Sequence, residues 1–164
     1  MAYAVTHIIT AIILIDIYRH YVAKKKNFPR YLVLVGGIAG LLPDIDIVIG
    51  WALSFISGHN INIHGGFTHS LLFPMLFFII GFAFQLAKKP EVSKIFYVIS
   101  FGTLLHLGLD CGFGEIKSYL WPLANFSNFC PKLFFYDQYE VVDAFLLMLW
   151  LIHEEIAHKI KDYF

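Results

Sequence analysis

Charged side chains are scarce in this chain of 164 residues. Its 12 Lys and Arg and 12 Asp and Glu make up 15% of it, against roughly 25% in soluble domains. The formal net charge is zero, and nothing suggests a nucleic-acid footprint, which would need a clustered basic surface. Cysteine is almost absent. Cys111 and Cys130 set no disulfide framework by themselves, and their state depends on the side of a membrane they face. A cleavable signal pattern is also missing. The first apolar stretch contains His7 and Asp16 and runs into Lys24, Lys25 and Lys26, so it reads as a retained first helix.

What is present is apolar. Hydrophobic residues make up 59% of the chain, with 17 Phe, 9 Tyr and 3 Trp, and the mean hydropathy is +0.69. Five apolar segments stand out, near residues 3–22, 31–53, 68–87, 92–110 and 140–157. Each approaches the roughly 20 residues a helix needs to cross a bilayer. A soluble all-helical domain of this size would have too small a core for so many long apolar runs. The expected fold is therefore all-α, a polytopic membrane helical bundle of about five transmembrane segments in a single domain, 1–164. The second segment should break near Pro43, which removes a backbone hydrogen bond just before Asp44 and Asp46. Gly81 and Gly102 offer close helix packing.

Orientation follows from the basic residues. Lys24, Lys25, Lys26 and Arg30, then Lys88, Lys89 and Lys94, then Lys159 and Lys161 all fall on one side if five segments alternate. The positive-inside rule makes that side, with the C-terminus, cytoplasmic. The N-terminus and the candidate site then face outward from a plasma (inner) membrane.

The polar residues that remain are expensive in an apolar setting and must pair, bind a metal or line a wet cavity. His106 and Asp110 sit four apart on one helix face, about 6 Å along the axis. Asp44 and Asp46 would raise one another's pKa unless a cation lay between them. Asp44 could instead simply cap a new helix. His64 and His69 flank Gly65 and Gly66, with Thr68 placed to cap the third segment. His7 lies near the outer end of the first segment. All seven residues converge on the outward half. Glu140, at the entry of the last segment, is a candidate ligand, a candidate to orient a ligand, or a general base; Asp143 lies deeper and Asp137 reads as a solvated cap.

Two clusters point elsewhere. His153, Glu154 and His158 resemble H-E-x-x-H, but the histidines are five apart, which breaks the geometry that motif needs. Asp16 pairs with Arg19 or His20 near the cytoplasmic end.

Imidazole suits zinc, and mixed imidazole and carboxylate sets also suit manganese or iron. Seven candidates exceed the three or four ligands of one catalytic zinc. Two or three divalent ions that share carboxylates and activate water are more natural. The metal set is thus His7, Asp44, Asp46, His64, His69, His106 and Asp110, with Asp44 and Glu140 as catalytic candidates.

The motifs L-P-D-I-D (42–46), H-G-G-F-T-H-S-L (64–71) and H-x-x-x-D (106–110), followed by W-P (121–122), resemble the YdjM-like or DUF457 family. The likeness runs from His7 to about Glu140. Members are described as inner-membrane-associated metal-dependent hydrolases, some as LexA-binding, and the family is thought to be distantly similar to zinc-dependent phospholipase C and S1/P1 nuclease. In its H-R-G-x-T-H-S pattern, Gly65 stands where Arg is common, which removes a phosphate-binding cation. The resemblance implies a membrane-embedded hydrolase cleaving a phosphoester of a lipid head group at the outer leaflet, in the manner of a phospholipase or a lipid phosphatase. Trp51 and Trp121 would help seat a phospholipid. The competing readings are a metal-ion or small-solute transporter, which would need polar residues at midplane depth on several helices, and a non-catalytic membrane binding protein.

Overall fold

The computed structural model describes residues 4–23, 27–115, 117–123, 130–131, 133 and 139–158, and in the last stretch the side chains of 143, 145–150, 152–154 and 156. Six α-helices carry the described residues: α1 (Ala4–Tyr21), α2 (Tyr31–Ala39), α3 (Ile45–Ser57), α4 (Leu72–Leu86), α5 (Pro90–Gly112) and α6 (Tyr139–His158). Short 3-10 turns at Leu42–Asp44 and Phe67–His69 precede α3 and α4.

Local chemistry explains the boundaries. Pro43 cannot donate to a helix ladder and crowds the preceding turn, so α2 stops and restarts as α3 with a bend of 45°. Gly58, at φ 70°, closes α3 in the left-handed conformation that glycine adopts without a Cβ penalty. Pro90 opens α5 where its missing N–H costs nothing, and Glu91 sits beside the positive end of the helix dipole.

Side-chain contacts give the helix directions. Ser93 and Ser100 of α5 donate to the carbonyls of Gly81 and Pro74, which makes α4 and α5 antiparallel. His106 reaches the Gly40 carbonyl while Gly102 lies against the Gly36 carbonyl, so α2 and α5 run parallel. Gly36, Gly37 and Gly40 meet Ile15, Ile12 and His7 in turn, so α1 runs against α2. Thr6 donates to Asp143, and Asp16 faces His153. Both pairs are 137 residues apart, so α1 and α6 run parallel in one register.

The apolar core is a small cluster of Ile15, Phe28, Leu32, Val33 and Val98 between α1, α2 and α5. Around it the usual distribution is inverted. His7, Asp16, Asp46, His69, His106 and Asp110 are buried, while Trp51, Phe55, Ile56, Met75, Phe78 and Leu86 are exposed, Phe55 by 91%. Apolar surface on this scale marks contact with lipid or with a partner.

The helical class agrees with expectation, but the five-span bundle does not. Among the described residues one helix, α5, is long and apolar enough to cross a membrane, or two if α2 and α3 with their bend form one span. The reason lies in what an apolar run contains. The run at 68–87 includes a 3-10 turn and an extended Ser70, which leaves α4 with 15 residues, about 22 Å against a hydrocarbon layer of about 30 Å. His7, Asp16, Arg19 and His20 dilute α1, and the apolar part of α6 covers only Phe145–Glu154.

Candidate metal centre

The helix directions bring the start of α1, the α2–α3 break, the entry of α4 and the end of α5 to one place. The seven predicted ligands meet there. Asp44 stands at the N-cap position of α3 but makes no capping hydrogen bond, so its carboxylate is available to the site. The chain reaches this conformation because Pro43 ends α2 one turn before the site.

Four atoms form the centre. His69 Nε2 lies 3.5 Å from Asp44 Oδ1 and 3.6 Å from Asp110 Oδ2. His106 Nε2 lies 3.6 Å from Asp44 Oδ1 and 3.3 Å from Asp110 Oδ2. Neither Nε2 makes a hydrogen bond, and both are fully buried. A tetrahedral ion with bonds of about 2.1 Å holds its ligand atoms about 3.4 Å apart, close to these four nitrogen–oxygen separations. Beside the centre, His7 Nε2 is 3.4 Å from Asp110 Oδ1, and the His7 ring stacks on His106 with centroids 3.9 Å apart. His7, His106 and Asp110 form one group able to hold a metal, and Asp44, His64 and His69 form a second.

The supporting contacts set the tautomers. The Gly40 carbonyl can only accept, so His106 Nδ1 donates to it at 2.7 Å and Nε2 turns its lone pair to the centre. Asp46 is engaged on both oxygens. His64 Nδ1 donates to Oδ1 at 2.8 Å, while Gly65 N–H and the Thr68 hydroxyl donate to Oδ2 at 3.1 and 2.7 Å. His69 Nδ1 approaches the same Oδ2 at 3.2 Å. Thr68, expected to cap a helix, spends its hydroxyl here instead, and α4 begins after Leu71 with no side-chain cap.

The mouth contains a residue that no sequence motif marked. Lys117 is buried, pairs with Glu115 at 3.0 Å and meets His64 Nε2. Backbone bonds from Ser118 N–H to the Gly65 carbonyl, 3.1 Å, and from Leu71 N–H to the Tyr119 carbonyl, 2.9 Å, hold this segment against the histidine loop. Gly65 has φ 85°, and a Cβ there would sit 3.1 Å from Lys117 Cδ. The stem of Lys117 thus occupies the space of a side chain at position 65. Nothing local in the sequence links positions 65 and 117. Burial, with the charges of Asp110 and Glu115, pushes the Tyr119 hydroxyl above its ordinary range and keeps it protonated.

The chain matches the model of the YdjM inner membrane protein family over residues 1–160. It belongs to that family. Association with the inner membrane comes with membership, and the exposed apolar helices are consistent with it. No curated protein and no solved structure matches the chain.

The remaining candidates are placed as follows. Glu140 lies in the first turn of α6, with its side chain outside the described residues, as is all of Asp137. Asp143 accepts from Thr6. Cys111 and Cys130 are joined in a disulfide directly after Asp110. Trp121 packs on Phe67 with ring centroids 5.4 Å apart, two residues before His69, whereas Trp51 is exposed on α3.

Proposed function

We propose that the chain is a membrane-associated, metal-dependent hydrolase that cleaves a phosphoester of a lipid head group. The observation that supports it most is the pair of buried Nε2 atoms of His69 and His106, without hydrogen bonds, facing Asp44 and Asp110 at 3.3 to 3.6 Å. Buried ring nitrogens left unsatisfied are costly, and three carboxylates in one pocket repel one another. A divalent cation relieves both. His7, His106 and Asp110 would hold one ion and Asp44, His64 and His69 a second, with the carboxylates of Asp44 and Asp110 between them. Zinc suits this set, with manganese or iron as substitutes.

When bound, such ions activate water and neutralise charge on a phosphoester. The residues of the chain do the rest. Asp44, whose side chain is 22% exposed, lies on the accessible side and would take the proton of the attacking water. Glu140 is the second candidate base. Asp46 would orient His64 and His69 in place of the ligand role read from the sequence. Lys117 would bind a phosphate oxygen, replacing the cation lost at Gly65. Phe67, Leu71 and Trp121, partly exposed beside His69, would receive the apolar part of a lipid. The disulfide next to Asp110 favours an outward-facing site, since such bonds persist in oxidising surroundings. Transport is the weaker reading. Between His7 and Asp16 the buried residues of α1 are Ala11 and Ile15, and the buried polar atom there is the Thr10 hydroxyl, so that helix offers an ion no carboxylate or imidazole between its two ends.

The test is elemental analysis of the purified chain together with phosphoester hydrolysis on mixed lipid micelles. His106→Ala with Asp110→Ala, and His69→Ala with Asp46→Ala, should each lose two equivalents of metal and all activity. Unchanged metal content would remove the ligand assignment. Bound metal without hydrolysis of any phospholipid would remove the reaction.

A further inference from the structure

We propose a second, separate metal site at the far end of α1, formed by Asp16, His20 and His153. It would take one first-row divalent cation, zinc by its ligand types, and clamp α6 to α1. Asp16 and His20 are four residues apart in the last turns of α1, so they share a face. His153 comes from α6 through the parallel register that also pairs Thr6 with Asp143. His20 Nδ1 lies 3.3 Å and His153 Nδ1 3.4 Å from the same oxygen, Asp16 Oδ2. One ligand atom from each residue lies within 4.8 Å of the other two.

The surroundings are those of a built site. Asp16 is buried, and the side chains of His20 and His153 are 7% and 12% exposed. Neither nitrogen of His153 makes a hydrogen bond, although both are buried. His20 Nδ1 donates to the Asp16 carbonyl at 2.9 Å, which fixes its ring and makes Nε2 its ligand atom. Arg19 is anchored by its Nε on the Phe28 carbonyl at 3.0 Å. Its Nη1 lies 3.6 Å from Asp16 Oδ1, on the other oxygen from the one the imidazoles face. Two imidazoles and one carboxylate are a three-residue set that suits zinc. Asp16 follows His7 by nine residues, about 14 Å along the helix axis, so this ion would be distinct from those of the first site.

The role follows from position. α6 packs mainly on α1, and the Arg30–Glu154 pair at 3.3 Å fastens it beside the same point. An ion here would tie the last helix to the first at the end opposite the proposed hydrolytic centre.

The experiment uses the full chain loaded with zinc or cobalt. Zinc per chain should fall by one equivalent in His153→Ala, and one equivalent should remain when Asp46→Ala and His69→Ala empty the first site. If His153→Ala lowers helicity, the cobalt-loaded Asp46→Ala, His69→Ala chain is compared with the same chain carrying His153→Gln. Visible cobalt bands lost on adding His153→Gln support the site. Unchanged zinc in His153→Ala, or no cobalt bands once the first site is emptied, overturns it. A chain that hydrolyses nothing would still lose this ion, so the two proposals fail separately.

Discussion

At Lys117 one side chain stands where the sequence leaves space at Gly65. Its ammonium meets His64, and its stem fills the space beside a glycine whose φ of 85° disfavours any side chain. If it binds substrate phosphate, Lys117→Ala should raise KM for a phosphoester by about 10-fold or more, from the loss of a charge-assisted bond of about 1.5–3 kcal/mol. Metal content should hold, and Lys117→Arg should restore much of the loss. An unchanged KM would leave Lys117 a partner of Glu115 and His64 only. Asp46 makes a different claim at the same scale. With both oxygens committed to protein donors, Asp46→Asn should weaken metal binding by about 10- to 100-fold, the usual effect of losing a group that orients a ligand. This is read by competition with a chromogenic chelator.

Between elements, the decisive contact is α2 against α5. A Cβ on Gly102 would lie 2.8 Å from Ala39 Cβ and from the Gly36 carbonyl oxygen. Since backbone cannot move aside cheaply, Gly102→Val should part the two helices. The same parting would break the bond of His106 to the Gly40 carbonyl, which sets the tautomer of that ligand. The expected cost is about 1–3 kcal/mol of stability, together with loss of metal. Gly108, on the same helix, has nothing within 4 Å of its Cβ position. Gly108→Ala should therefore be neutral or gain up to about 1 kcal/mol from helix propensity. Thermal unfolding of both variants in detergent checks the pair, and equal shifts would refute the packing argument.

Among the described residues, many ionisable side chains lie inside and many large apolar ones outside, with few buried aliphatic contacts to hold them together. The covalent link between Cys111 and Cys130 therefore matters more than it would in a large core. It closes a loop of 19 residues of separation, which holds Lys117 and Tyr119, and chain-entropy arguments give such a loop about 3 kcal/mol. Reduction should lower the thermal midpoint and weaken phosphate binding at Lys117. An unchanged midpoint in reductant would mean that the hydrogen bonds of Ser118 and Leu71 hold the segment unaided.

The sequence by itself determined the helical class and the break at Pro43, and it marked the His and Asp residues that the fold brings together. Each is written in short-range terms, as apolar runs, a proline, and His and Asp out of place in apolar surroundings. The close packing at Gly81 and Gly102 was legible for the same reason. A glycine on an apolar helix marks where a neighbour can approach, and a Cβ at either position would lie under 3 Å from a neighbouring helix. Tertiary structure decided what depends on distance in the chain. The number of spans changed because hydropathy counts residues through turns that the backbone breaks. His153 came to Asp16 only through the register of α1 and α6, with 137 residues between them, and Lys117 reached His64 only because the segment after α5 folds back on the histidine loop. Side chains so far apart meet through packing, and packing leaves no local pattern to read.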